Sequence, residues 1–275
     1  MDQVHDMKRI INEYKETYRT VLFFSDENIE SIKKAKSYKS LSHYTSIKSL
    51  KSILEAKKMK LTNIGKLSDK SERNSVGSEK YSAYIFPLSF THKLESNEEM
   101  WKKFGDNYRG VKITYCFNNN IEELIDKDSL AEGMYEGKIN SKFEFSGKNS
   151  NHYLSNDELL NKGLLVQLHY NDVDYINKEK LGFESSFKIK DEFWLDLYKF
   201  GKIKARYEYQ EETRLTAVIM TNKKIKKINY LYVPLNLDKL REFRIEFGNK
   251  CKQEDIDEIE NIIKKEHFKN IKLIK

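Results

Sequence analysis

Three short segments of this chain carry polar side chains at spacings that chemistry could use. The first is Tyr209-Gln210-Glu211-Glu212-Thr213-Arg214-Leu215, which leads into an apolar run ending at Met220. In extended backbone, residues two apart share a face, so Gln210, Glu212 and Arg214 are expected to project together, with Glu211 and Thr213 opposite. A carboxylate flanked by an amide and a guanidinium is an anion that can oppose positive charge developing on a sugar. The other reading of the same residues is an edge-strand salt bridge between Glu212 and Arg214.

The second segment is Leu41-Ser42-His43-Tyr44-Thr45-Ser46, in which His43 closes a short strand just before a capped helix. An imidazole there either serves a ligand or satisfies a neighbouring backbone group. In the third, Leu88-Ser89-Phe90-Thr91, two hydroxyls stand two residues apart at the end of a hydrophobic strand, with Met100-Trp101 nine residues further on. Ser and Thr at a strand end also serve as turn formers, and Trp101 is either a core residue or a platform for a ligand. The remaining histidines, His5, His92, His152, His169 and His267, stand in polar contexts that suit surface positions. The chain has no Gly-rich phosphate loop, dinucleotide fingerprint, HExxH or paired-cysteine motif, which argues against the common nucleotide and zinc machinery.

The elements that must hold these residues can be read from periodicity. Val4, Met7, Ile11, Tyr14, Tyr18 and Val21 form the stripe of an amphipathic helix over 4–22, and a second helix is expected over 27–35. A strand over 40–44 is followed by a helix capped at Thr45 or Ser46, with Ile47, Leu50, Ile53 and Leu54 on its inner face. Strands are expected over 59–63 and 84–90, with a loop over 65–80 between them. Ser96-Asn97-Glu98-Glu99 reads as a capping box that opens a helix bearing Met100, Trp101 and Phe104 before Gly105 ends it. Val111, Ile113, Tyr115 and Phe117 alternate with Lys112, Thr114 and Cys116 as in a half-buried strand.

Further along, a capping box at 155–158 predicts a helix to about 168, and 192–200 reads as helical. Strands are expected over 207–220, 228–233 and 243–247, and a late helix carries Ile256, Ile259, Ile262 and Ile263. The run at 147–151 is the candidate flexible break. Strands and helices without strict alternation indicate an α+β fold, with residues 1–38 as an N-terminal helical extension and 39–275 as a single domain.

In order, His43-Tyr44-Thr45, Ser89-Phe90-Thr91 and Gln210-Glu211-Glu212 resemble the three-part signature of the ADP-ribosyltransferase superfamily. Leu67-Ser68-Asp69-x-x-Glu72, Met100-Trp101-x-x-Phe104, Asn107-x-x-Gly110-Val111-Lys112-Ile113 and the closing Glu212-x-Arg214 resemble a little-characterised bacterial branch; the likeness runs from His43 to Met220. The Arg-led opening of the toxin-like branch and the Tyr-rich middle of the poly-polymerase branch are missing.

The resemblance implies a split mixed or antiparallel β-sheet surrounded by helices, and NAD as substrate with no metal. It implies a catalytic Glu212 that binds the nicotinamide ribose, and a Gln210 that positions the acceptor. It places His43 at the other ribose, Tyr44 near the nicotinamide and Ser89 at its amide, with Thr45, Thr91, Trp101 and Arg214 completing the NAD site. Gln two residues before Glu weighs against arginine as acceptor. A role as a toxin or anti-phage effector, and an inhibitory partner protein, belong to the same implication. Plain NAD hydrolysis and a non-catalytic nucleic-acid or protein binding module are the competing readings.

Composition sets the outer bounds. Aromatic residues at 12% alongside 34% charged residues indicate a folded chain. Two cysteines, Cys116 and Cys251, are too few for a disulfide framework, so a reducing compartment, the cytoplasm, is expected. No apolar run approaches the roughly 18 residues of a membrane span, so no membrane partner is expected. Fifty Lys and Arg against 43 Asp and Glu leave a net charge of +7, which tilts the choice of macromolecular acceptor toward RNA or DNA over protein. The lysines of 223–227 equally reflect a simple compositional preference.

Overall fold

The computed structural model describes residues 20–23, 26–67, 85–126, 143–147, 150–154, 164–176, 186–189, 192–196, 202–221 and 229–274. In chain order the elements are β1 (Thr20–Phe23), α1 (Asp26–Ser37), β2 (Ser40–Thr45), α2 (Ile47–Ala56), β3 (Lys58–Thr62), β4 (Ile85–Thr91), α3 (Glu98–Lys103) and β5 (Val111–Cys116). They continue as β6 (Phe143–Gly147), β7 (Ser150–Leu154), β8 (Leu164–Asp172), β9 (Asp174–Ile176), β10 (Ser186–Ile189), β11 (Glu192–Asp196) and β12 (Lys202–Lys204). The last are β13 (Glu212–Thr221), β14 (Tyr230–Pro234), β15 (Glu242–Phe247), α4 (Gln253–Lys265) and β16 (Ile271–Ile274).

The fold is α+β, built on a mostly antiparallel seven-stranded sheet of order β16-β15-β5-β2-β4-β13-β8. A four-stranded sheet, β3-β14-β6-β7, stands apart from it. One face of the large sheet supplies Leu41, Phe90, Ile113, Tyr115, Leu215 and Phe243 to the main core. Leu50 and Leu54 of α2, Met59 and Leu61 of β3, and Leu231 and Val233 of β14 close over it. The inner face of α2 is the expected one. Ser46 is its N-cap, accepting from the Ser49 amide at 3.2 Å, and Lys57 ends it in a left-handed conformation.

Several expectations are corrected. The strand over 111–116 is buried on both faces rather than half-buried, because β2 and β15 flank it and side chains cover its polar face as well. The helix expected to run to 168 ends in strand: residues 164–168 belong to β8, whose antiparallel ladder with β13 satisfies their backbone groups. Residues 155–163 lie outside the described set. The helix expected at 192–200 is strand β11 over Glu192–Asp196, paired with β1 and β10, while 197–200 lie outside. Most of the helix expected over 4–22 also lies outside, and its last positions form β1.

Asn97, rather than Ser96, caps α3, its side chain accepting from the amides of Glu99 and Met100. Of the run at 147–151, Gly147 and Ser150 face each other where β6 and β7 pair, and 148–149 lie outside the described residues. The largest correction for the site concerns 207–220, where Ala205–Gln210 is a 3-10 turn and the strand begins only at Glu212. No helix among the described residues is long and apolar enough to cross a membrane.

Candidate active site

The large sheet is nearly divided at its middle. β2 and β4 are joined by one registered pair, Ser42↔Thr91, whereas β2 runs along β5 from Ser40 to Thr45 and β4 along β13 from Ile85 to Thr91. Past that pair a side chain takes over from the ladder: the His43 ring donates from Nδ1 to the Ser89 carbonyl at 3.0 Å. Burial pushes the imidazole below its ordinary range, and the Ser89 carbonyl opposes this only in part. The ring is therefore neutral near pH 7. With its proton on Nδ1, Nε2 is left as an acceptor. Its edge-on contact with Phe90 fixes the ring plane.

Strand alternation puts His43 on the core face with Leu41, and Ser42, Tyr44, Ser89, Thr91, Glu212 and Arg214 on the other face. There Ser89 lies opposite Arg214 in the register and Thr91 opposite Glu212. Glu212 and Arg214 are each 2% exposed. The Ser89 hydroxyl and the Arg214 guanidinium both donate to Glu212 Oε1, the latter from Nε at 2.5 Å. Oε2 makes no hydrogen bond among the described residues. A buried carboxylate held by one hydroxyl and one cation, with its second oxygen spare, suits binding a ligand hydroxyl.

The backbone of Glu212 is held where the ladder with β8 runs out. Its carbonyl accepts from the Val173 amide at 2.9 Å, and its amide donates to the Tyr175 hydroxyl of β9 at 2.8 Å. Just before it, Glu211 has a left-handed backbone (φ 40°), which turns the chain out of the 3-10 turn and into β13. Gln210 therefore does not share the strand face of Glu212. It sits in the turn, its amide donating to the Tyr209 hydroxyl at 3.3 Å.

The aromatic members form a group of their own. Tyr44, Met100 and Trp101 pack together with Tyr108 and Tyr209. The Tyr44 ring meets Trp101 edge-on at 5.1 Å, and Trp101 donates through Nε1 to the Ser96 hydroxyl at 2.9 Å. Trp101 is thus a packed residue, its other neighbour being the stacked ring of Tyr108. This group reaches the turn before β13 through Asn97, whose side chain donates to the Tyr209 carbonyl at 3.1 Å. Lys112, buried beneath, donates to the Leu94 carbonyl, and burial lowers its pKa against the pull of Glu246.

Thr91 uses its hydroxyl to accept the Lys93 amide at 3.1 Å, a turn-forming contact at the strand end. Thr45 closes β2 opposite Val111. There Gly110 passes so near that a Cβ on it would lie 2.2 Å from the Thr45 carbonyl oxygen.

The fold thus joins Ser89, Glu212 and Arg214 directly, links His43 to them through the Ser89 backbone, and groups Tyr44 with Trp101. No family model, curated protein or solved structure matches the chain.

Two features were not read from sequence. Tyr175 belongs to no motif, and its role depends on where β8 stops. The other is a polar knot around Asp172, which accepts from Thr213 at 3.1 Å and Tyr38 at 3.2 Å, and pairs with Lys34 of α1. His92 stacks on Tyr38 at 4.4 Å and lies between Asp172 and Glu211. The polar sequence context of His92 suits a surface position, yet burial lowers its pKa while the two carboxylates oppose the shift. Among the described residues no three His, Cys, Asp or Glu converge as metal ligands.

Proposed function

We propose that this chain is an NAD-dependent ADP-ribosyltransferase of the cytoplasm that modifies a macromolecule, with the near-division of its sheet at β2 and β4 as the split of that fold type. The observation that carries this reading is the buried Glu212 carboxylate, held on one oxygen by Ser89 and Arg214, beside the seam that His43 bridges.

In the proposed reaction the bond between nicotinamide and ribose breaks, and its electrons leave with the nicotinamide. The ribose passes through an oxocarbenium-like transition state, and an acceptor nucleophile forms the new bond and loses its proton. Glu212 accepts from a ribose hydroxyl through Oε2 and its charge opposes the developing cation. Arg214 and Ser89 hold the carboxylate so that it does not reorganise during the reaction. His43, on the opposite face of the sheet, braces the seam through the Ser89 carbonyl and so keeps Ser89 in place under Glu212. Tyr44, with Trp101 behind it, walls the nicotinamide side, and Gln210 in the turn before Glu212 faces the acceptor. The net charge of +7 favours a nucleic acid as acceptor.

The test is nicotinamide release from NAD by the purified chain and its Glu212→Gln variant, with and without RNA, DNA or cell extract. Release that requires Glu212 and rises with one of these additions supports transfer to that class. Release that ignores all additions indicates hydrolysis. Failure both to bind NAD and to release nicotinamide overturns the reading.

A further inference from the structure

A side chain from outside the large sheet holds the Glu212 amide. Tyr175 lies on β9, which pairs with β12, and β12 leads directly into the turn that carries Gln210. Its hydroxyl accepts the Glu212 amide at 2.8 Å. A phenol has one hydrogen to give as well as lone pairs to take. Here one lone pair is used, and the hydrogen has no acceptor among the described residues. The side chain is partly buried.

Glu212 and Tyr175, joined through the Glu212 amide, therefore offer complementary chemistry: a carboxylate oxygen that can only accept, and a hydroxyl with a hydrogen to donate. A vicinal diol matches this pair, one hydroxyl giving its hydrogen and its neighbour taking one.

Building on the reading above, we propose that Tyr175 is a second sugar-binding residue of the site, donating its hydroxyl hydrogen to the nicotinamide ribose whose neighbouring hydroxyl Glu212 accepts. Burial, followed by the negative charge of Glu212, holds the phenol well above its ordinary pKa, so the hydrogen is present throughout the physiological range. The bond from the Glu212 amide makes the hydroxyl move with Glu212, which fixes the spacing of donor and acceptor. A phenylalanine would fill the same space and lack only the donor.

The experiment is a double-mutant cycle between protein and substrate in the full chain. Nicotinamide release is measured for wild type and Tyr175→Phe, with NAD and with analogues that lack either hydroxyl of the nicotinamide ribose. Wild type is expected to lose at least about tenfold in kcat/KM with one of the two analogues. Tyr175→Phe is expected to be slower by about the same factor with NAD and to lose little further with that analogue. Each comparison of substrates is made within one protein, so a general loss of stability cancels.

Equal losses in both proteins, or a wild-type rate in Tyr175→Phe, overturn the assignment of Tyr175 and leave the enzymatic reading standing. A wild-type chain that neither binds NAD nor releases nicotinamide overturns both.

Discussion

The Ser89 hydroxyl donates to Glu212 Oε1, while the carbonyl of the same serine accepts from His43, so one residue of β4 connects side chains from β2 and β13. Removing the hydroxyl leaves the carboxylate with Arg214 alone. Ser89→Ala is expected to lower nicotinamide release by about tenfold with the fold retained. Steady-state rates beside a thermal melt check this. Unchanged rates would separate Ser89 from the chemistry.

Arg214 faces a different demand, because its charge is buried against Glu212. Removing one member of such a pair leaves the other uncompensated and costs about 3–5 kcal/mol. Arg214→Met is therefore expected to lower the denaturation midpoint substantially, and Glu212→Gln, which also removes one charge of the pair, to lower it less because its amide oxygen still accepts from Arg214 and Ser89. Chemical denaturation of the two variants reads the difference.

Acid is expected to destabilise the protein through its histidines. Burial lowers the pKa of His43 and His92 and takes His169 down to about 4. In the unfolded chain these groups take up protons near 6.5, so between that pH and the lower folded values the unfolded state binds more protons. Their contribution is complete above about pH 6.5 and is lost as pH falls toward 4. His169→Asn should flatten the slope of the denaturation midpoint against pH in this window, and an unaltered slope would remove His169 from the account.

Gly110→Ala tests the packing that holds the end of β2. The added Cβ would lie 2.2 Å from the Thr45 carbonyl oxygen, a backbone atom. Overpacking of this kind costs about 1–3 kcal/mol and displaces Tyr44-Thr45. A lower melting temperature together with weaker NAD binding is the expected result, read by calorimetry and titration.

The sequence makes the ends of this architecture plain where local chemistry decides them. The inner face of α2 follows from its apolar spacing and Ser46, and β2, β4 and β15 follow from their runs. It is less informative where tertiary pairing decides. Leu164–Leu168 suit helix or strand equally, and the ladder with β13 settles them as strand. The alternation over 111–117 reads as a strand with one wet face, because nothing local announces that Lys112 will be buried under Tyr44.

At the site itself, Glu212 and Arg214 were legible as neighbours from their spacing of two. Spacing alone sets Gln210 on the same face, because Glu211 has no sequence mark of a left-handed backbone, a conformation ordinarily signalled by glycine or asparagine. Asp172 and Tyr175 were invisible for a related reason. Both act at the point where β8 ends, and that point is set by its partner strand.

The most direct test of the central claim is nicotinamide release from NAD by wild type and Glu212→Gln, each shown by melting to be folded. The account predicts release by wild type and a loss of about a hundredfold or more in the variant. Equal release by the two folded proteins would contradict it.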